Sequence, residues 1–264
     1  MREQRLVFGE EPELYDRARP GYSDALVDTV IAFGRVEATK CRALEVGAGT
    51  GKATVAFARK GVRVHGLEPD PAMAAVARRN TASYPGVEIE EASFEEWDLG
   101  DSAFDLVFSA QAWHWINPEV RCPKAAAALV PGGSLALFWH RVQWDEDDPV
   151  RMDLDECYRT YAPELYARGP GFPGLTTTAL EEEARGELAL CADFTDVSVR
   201  EFPWEQTFDA TTYVDRLRTQ SDHRLLPADE REQLFGAVRS VIAGHGSSVL
   251  VPHSTLLVLG RRLE

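Results

Sequence analysis

The run Ala43-Leu44-Glu45-Val46-Gly47-Ala48-Gly49-Thr50-Gly51-Lys52-Ala53-Thr54 carries the densest chemical signal in the chain. Leu44 to Val46 read as the end of a buried strand. Lys52 to Lys60 read as a helix with Val55, Ala56 and Phe57 on its inner face. Between them Gly47, Gly49 and Gly51 recur at every second position. Glycine admits positive φ and lets a ligand meet bare backbone, and a helix start adds unpaired N–H groups. Strand, Gly-rich turn and helix in that order make a ligand loop. Spacing narrows the ligand. The dinucleotide fingerprint Gly-x-Gly-x-x-Gly finds Lys52 at its third glycine; a Walker A loop finds Val46 at its first glycine and Ala53 at its Ser/Thr. Neither phosphate motif is met.

A second short strand, Val62 to Asp70, ends in acids. Glu68 stands 21 residues after Gly47. A carboxylate there can accept hydrogen bonds from both hydroxyls of a ribose, which fits an adenosyl ligand of more than one kind. The plainer role, an acid favouring a helix dipole, suits Asp70, which precedes Pro71 at a helix start. Met73 sits where it either packs on a purine or fills the core.

Glu45-x-Gly47-x-Gly49-x-Gly51, followed by Glu68 and by strands at Val87–Ile89, Phe104–Ser109 and Ser134–Trp139, resembles the ordered motifs of class I S-adenosylmethionine-dependent methyltransferases. The lead-in Tyr15…Arg19-Pro20-Gly21-Tyr22 and the segment Gln111-Ala112-Trp113-His114-Trp115 resemble those of the methyltransferase type 11-like group that includes trans-aconitate methyltransferases. The resemblance covers residues 8–142 well and the C-terminal third more loosely. It implies S-adenosyl-L-methionine as cofactor, no metal, and a small-molecule acceptor. Carried over residue by residue, the cofactor set is Glu45, Gly47, Ala48, Gly49, Gly51, Glu68, Pro69 and Met73, then Ser93, Phe94 and Glu95 after the third strand and Ala110 and Gln111 after the fourth, with Tyr15 and Arg19 over the methionine tail. Ser93 stands where the family usually carries an acid, which weakens the expected adenine contact. Trp113, Trp115 and His140 are candidates for the acceptor pocket, and His114 for a general base. Each has a bland reading too: a pre-helix turn set by Pro20, tryptophans filling the core, and a histidine packed between Trp113 and Trp115.

The fold that the resemblance implies is a Rossmann-like α/β sheet of seven mostly parallel strands in the order 3-2-1-4-5-7-6, the last antiparallel, with helices on both faces and a partly helical cap. Residues 1–264 then form one domain, with 1–34 as an N-terminal lid and first helix, and 143–192 and 204–227 as cap insertions. Ser23 caps a helix carrying Leu26, Val30 and Ile31 that stops at Gly34. Leu129–Gly133 reads as a helix exit and turn. A helix over 150–166, a loop over 169–174 and a strand from Phe194 to Phe202 follow. A helix from Thr211 to Ser221 comes next, then one bearing Leu234, Phe235, Val238, Val241 and Ile242 and opened by Asp229 and Glu232 as a capping pair. A last strand spans Ser254–Leu259.

The chain of 264 residues holds 28 basic and 43 acidic side chains, a net charge of −15. That disfavours nucleic acid, which calls for a basic footprint, and anionic membrane surfaces. An anionic acceptor would need local donors such as Arg17, Arg19 and Arg141. The longest apolar stretch is cut by Pro131-Gly132-Gly133, and the first residues lack the apolar core of a signal peptide. Cys41, Cys122, Cys157 and Cys191 are far apart, and His65, His223, His245 and His253 show no ligand spacing. A cytoplasmic monomer or homodimer is expected. Two competing readings are an NAD(P)-dependent oxidoreductase, against which Lys52 argues, and a cofactor-binding protein without catalysis.

Overall fold

The computed structural model describes residues 8–100, 103–167 and 177–264; the expected loop at 169–174 lies outside them. Seven strands, β1 (Arg42–Val46), β2 (Arg63–Leu67), β3 (Val87–Glu90), β4 (Phe104–Ala110), β5 (Leu129–Val142), β6 (Phe194–Asp209) and β7 (Ser248–Arg262), form one sheet. Their order is β3-β2-β1-β4-β5-β7-β6, as the sequence implies. β1 pairs in parallel with β2 and β4, β2 with β3, and β4 with β5. β7 runs antiparallel to β5. The Arg262 guanidinium meets the Leu129 carbonyl, whereas Gln143 N–H donates to the Pro252 carbonyl.

By packing, the chain forms two compact units. One is drawn from Met1–Arg19, His140–Thr178 and Pro203–Thr255, the other from Pro20–Trp139, Ala179–Phe202 and Leu256–Glu264. We call them the discontinuous unit and the sheet unit. In the sheet unit the central strands β1, β4 and β5 are buried on both faces, which is why they read as apolar runs without polar alternation. Successive side chains still alternate. Ala43, Leu106, Phe108, Ala136 and Phe138 face a core built with α2 (Asp24–Gly34) and α3 (Lys52–Arg59). Leu44, Val46, Val107, Leu135, Leu137 and Trp139 face a second core with α5 (Pro118–Ala128) and α8 (Thr177–Leu190). Phe57 of α3 is fully buried and stacks on Phe108 at 4.2 Å between ring centroids. The discontinuous unit has its own core, in which α6 (Pro149–Tyr161), α9 (Ala210–Arg218) and α11 (Ala228–Gly244) bury Leu154, Tyr158, Tyr213, Leu217, Phe235 and Val238.

Most elements follow the sequence, but two helices do not: α1 (Pro12–Ala18) holds Tyr15 where a pre-helix turn is expected, and α8 is new; element ends differ more widely. Leu129–Gly133 is not a turn but the first part of β5. Phe104 pairs with Leu129 and Leu106 with Ser134, so the extra residues bulge out of register, with Gly132 at φ +75°. The helix expected over 150–166 is two, α6 and α7 (Pro163–Tyr166). Pro163 disfavours helical backbone before it, and Ala162 sits at φ −147°. Ser23 does cap α2, its hydroxyl accepting from Leu26 N–H at 3.3 Å, but Gly34 is the last helical residue and Arg35 takes the left-handed turn at φ 55°. Asp229 and Glu232 form no capping pair. α11 opens at Ala228 after Pro227, and Glu232 bonds Arg218 at 2.8 Å instead. β6 runs through Asp209, so the segment from 204 begins as strand, with α9 and α10 (Ser221–Arg224) after it. β7 likewise extends well beyond Ser254–Leu259 on both sides.

Phe57→Ala removes a ring from a fully packed site and should lower stability by about 3–5 kcal/mol. Urea unfolding reads this directly; a loss under about 1 kcal/mol would mean the site collapses around the cavity.

Candidate functional site

The turn after β1 is built on bare backbone. Gly47 takes φ +75° and Gly49 φ +59°. A Cβ on Gly47 would lie 2.4 Å from Ala112 Cβ, so that position has no room for a side chain as well as the wrong φ for one. The turn is tied to the end of β2. Gly47 and Ala48 N–H both donate to the Leu67 carbonyl, at 3.0 and 2.9 Å. Gly49 N–H donates to Glu68 Oε2 at 2.7 Å, and Asp70 N–H to Glu68 Oε1 at 3.0 Å. Asn80 Nδ2 holds the Thr50 carbonyl at 2.9 Å. Asp70 caps α4 (Pro71–Thr81), accepting from Ala72 and Met73 N–H. Met73 on that helix is buried, and a Cβ on Gly49 would meet only its Cε, at 3.9 Å.

On the other side, the backbone leaves β4 through Gln111 at φ 61°. A left-handed residue other than glycine costs on the order of 1 kcal/mol. Gln111 N–H donates to the Phe138 carbonyl at 3.0 Å, and the turn sets the Ala112 methyl against Gly47. Ala110 and Gln111 are half-buried and Pro69 is exposed.

Two carboxyls are buried here. Glu45 is 0% exposed; Oε2 accepts from Thr54 Oγ1 at 2.5 Å, while Oε1 has no partner among the described residues. Thr50 Oγ1, in the turn itself, is also buried without a partner among the described residues. Burial pushes Glu45 up to about 8, against the Thr54 bond, with the Glu68 charge adding to the rise. Burial likewise pushes Glu68, 7% exposed, up to about 7, against its two backbone N–H bonds. Buried acceptors without donors are costly in an otherwise satisfied interior. A turn without Cβ atoms, flanked by two buried acids and two partnerless oxygens, suits a cationic ligand with hydrogen-bond donors. S-adenosylmethionine, with its sulfonium, ammonium and ribose hydroxyls, has that chemistry.

The residues expected for adenine have other partners in the structure. Ser93 Oγ contacts Glu96 N–H and Oε2, both at 3.3 Å; Phe94 is buried under Lys124; Glu95 Oε1 accepts from Asn117 N–H at 3.2 Å. Trp113 is core, its indole N–H directed at Glu187 Oε2 at 3.4 Å, and Arg121 ties Glu187, Glu183 and the Trp113 carbonyl together. Trp139 Nε1–H donates to His114 Nδ1 at 3.3 Å, and Trp115 lies against the same ring at 4.6 Å. Indole is only a donor, so the neutral His114 ring carries its proton on Nε2. Burial, aided by the Arg121 charge, lowers His114 to about 4. Such a ring is a weak proton acceptor near neutrality.

Tyr15, Arg19 and His140 belong to the discontinuous unit. Arg19 Nε and Nη2 donate to Thr219 Oγ1 and carbonyl, at 2.8 and 3.0 Å, with the guanidinium over the Tyr15 ring at 5.1 Å. His140 Nδ1 and Thr255 Oγ1 are 2.8 Å apart. Thr50, Thr54, Asn80 and Ala112 went unmarked in the sequence; nothing local distinguishes them, because each matters through a partner distant along the chain.

The family described as Methyltransferase domain matches residues 43–133. An uncharacterized methyltransferase-like protein of Schizosaccharomyces pombe is 32% identical over 86% of this chain and 82% of its own length. An uncharacterized methyltransferase of Mycobacterium tuberculosis is 29% identical over 97% of this chain and 96% of its own. Among solved structures, a candidate type II methyltransferase from Anaeromyxobacter dehalogenans superposes with a TM-score of 0.64 at 22% identity, covering 93% of this chain and 98% of that one. Haemonchus contortus phosphoethanolamine N-methyltransferase 2 shares the fold with a TM-score of 0.55 at 17% identity, over 100% of this chain and 61% of that one. The chain belongs to the class I S-adenosylmethionine-dependent methyltransferases. Its cofactor is S-adenosyl-L-methionine.

A carboxyl that keeps its proton to higher pH in the fold than in the unfolded chain stabilises the fold fully below the unfolded value, near 4.5, and loses that contribution as pH rises through its folded value, about 8 for Glu45. The thermal midpoint of the free protein should therefore fall between pH 5 and 8, at up to about 1.4 kcal/mol per pH unit for each such group. Glu45→Gln should flatten that fall; an unchanged slope in the variant would locate the proton elsewhere.

Proposed function

We propose that the chain methylates a small-molecule acceptor, with release of S-adenosylhomocysteine, in the manner of the trans-aconitate methyltransferase group that its lead-in and Gln111–Trp115 segment resemble. The observation that carries this reading is the Gly47–Gly51 turn with Glu45 and Glu68 buried beside it. A net charge of −15 supports a small acceptor over nucleic acid. So does the Haemonchus contortus enzyme of similar fold, which is in complex with phosphomonomethylethanolamine and S-adenosylhomocysteine.

When bound, the cofactor would supply an electrophilic methyl group to an acceptor nucleophile, the S–CH3 bond breaking as S-adenosylhomocysteine leaves. The chain's residues hold and orient. In this reading Gly47, Ala48, Gly49 and Gly51 receive the amino-acid end, with the unpartnered Glu45 Oε1 behind the turn. Glu68 spends one acceptor site per oxygen on backbone, and a carboxylate has about four, so both oxygens keep room for ribose hydroxyls. Pro69 and Met73 flank the nucleoside, Ser93, Phe94 and Glu95 adjoin its base, and Ala110 and Gln111 close the far side. Positioning accounts for most of the acceleration. His114 acts through Nε2–H as a donor and holds the Trp113–Trp115 segment in place; it removes no proton. We place the enzyme in the cytoplasm.

Calorimetry on the folded chain should show binding of S-adenosylhomocysteine and none of NAD. Gly47→Ala, whose new methyl collides with Ala112, should weaken that binding at least about tenfold, or about 1.4 kcal/mol. Folded protein that gives no heat with S-adenosylhomocysteine sinks the reading. Methyl transfer to a panel of small carboxylates, phenols and amines tests catalysis itself.

His114→Gln should keep turnover within about threefold, with an unshifted pH profile, against the 10²–10⁴-fold loss typical of a missing general base. A loss in that larger range would return His114 to the base role.

A further inference from the structure

The discontinuous unit buries a positive charge that pairs with no carboxylate among the described residues. Arg216, on α9, is 8% exposed. Its Nη1 donates to His253 Nε2 at 2.7 Å. His253 Nδ1 lies 2.8 Å from the Val251 carbonyl, an acceptor only, so Nδ1 bears the ring proton and Nε2 is the acceptor for Arg216. Arg216 Nε is buried with no partner among the described residues, and no carboxylate pairs with the guanidinium. The neighbouring groups that bear on its charge are the Phe208 ring, which the guanidinium faces at 5.4 Å from the centroid, and Tyr213, Arg19 and Tyr158. Arg19 is a second cation. Its guanidinium is joined to the same place through Thr219, whose hydroxyl accepts from Arg19 Nε and donates to the Arg216 carbonyl. The nearby acid, Asp222, is engaged by His223 through both backbone N–H and Nδ1, each at 2.8 Å, and His223 Nε2 in turn meets Tyr158 OH at 2.7 Å.

A chain with 43 acidic and 28 basic side chains does not lack carboxylates, and Arg19 has Asp222 near it, but Arg216 has none among the described residues. A buried cation left without one is unfavourable unless something else completes it. The edge that is left open defines what completes it. With Nη1 given to His253, the Nε and Nη2 edge remains, and its two parallel N–H groups match the two oxygens of a carboxylate.

We propose that Arg216, supported by Arg19 and held in orientation by His253, is a binding site for the carboxylate of a small molecule. The site lies wholly within the discontinuous unit. The proposal goes beyond the methyl-transfer reading and stands without it. Nε is shielded from water, so the ligand reaches it by parting side chains rather than by displacing solvent.

The test is a thermal-shift and calorimetric titration of the full chain with acetate, succinate, citrate and benzoate. Succinamide serves as the neutral control and inorganic phosphate as the alternative oxyanion, all at one ionic strength. At least one carboxylate should bind the wild type, and succinamide should not. Arg216→Met should weaken that carboxylate at least about tenfold, and Arg216→Lys, which keeps charge but loses the fork, should fall between. S-adenosylhomocysteine affinity, measured alongside, separates loss of this site from loss of the fold. Equal carboxylate binding by wild type and Arg216→Met overturns the proposal, as does a panel with no binder, or Arg216-dependent binding of phosphate alone. Should Arg216→Met not fold, the Arg216 Nε–H signal of ¹⁵N-labelled wild type, assigned with Arg216→Lys, decides. It should move with the binding carboxylate and not with succinamide, and a stationary signal overturns the assignment.

Discussion

Parallel pairing of β1 with β2 is the constraint on which the cofactor turn depends. The register sets Val46 opposite Leu67. One residue further, the Leu67 carbonyl collects the amides of Gly47 and Ala48, and the Glu68 carboxylate collects that of Gly49. The acid and the glycine turn are thus assembled by one ladder, and neither is positioned without it. A slip of one residue would exchange the two faces of β2. It would also carry Gly66 away from Ile89, whose Cδ1 would lie 2.8 Å from a Cβ at that glycine.

The two units solve opposite electrostatic problems. In the sheet unit, buried acids stand without cations: Glu45 and Glu68 are held toward their neutral forms by burial. In the discontinuous unit, a buried cation stands without an acid among the described residues. Neither arrangement is what folding alone would select, because a hydrophobic replacement would avoid the desolvation. Each makes physical sense as half of an interaction whose other half arrives with a ligand, positive in the first case and negative in the second.

The strands and main helices of the cofactor half were legible because their signals are local, whereas the strand order followed from the family resemblance. The apolar runs of β1, β4 and β5, the Ser23 and Asp70 caps, and the glycine turn each announce themselves within a few residues. Element ends were less legible, for identifiable reasons. Leu129–Gly133 has the composition of a turn, yet β4 offers Phe104 as a partner to Leu129 and draws the segment into the sheet as a bulge. Asp229 and Glu232 have capping spacing, but Pro227 fixes the start of α11 ahead of them. At the site, Glu45 and Glu68 could be named from spacing, while Thr54, Ala112 and Arg216 could not. Their roles come from groups brought together by the fold, such as the methyl of Ala112 against the bare face of Gly47. The character of His114 was equally hidden, since it depends on an indole contributed by β5.

The backbone passes between the two units five times, after Arg19, Trp139, Thr178, Phe202 and Thr255. Three of those passages fall inside β5, β6 and β7 rather than in linkers. No single cut releases either unit as an autonomous fragment, and a passage located in a regular strand has no spare loop to absorb an insertion. Grafting the discontinuous unit of one relative onto the sheet unit of another would therefore require splices placed mid-strand, matched residue for residue in pleat and pairing.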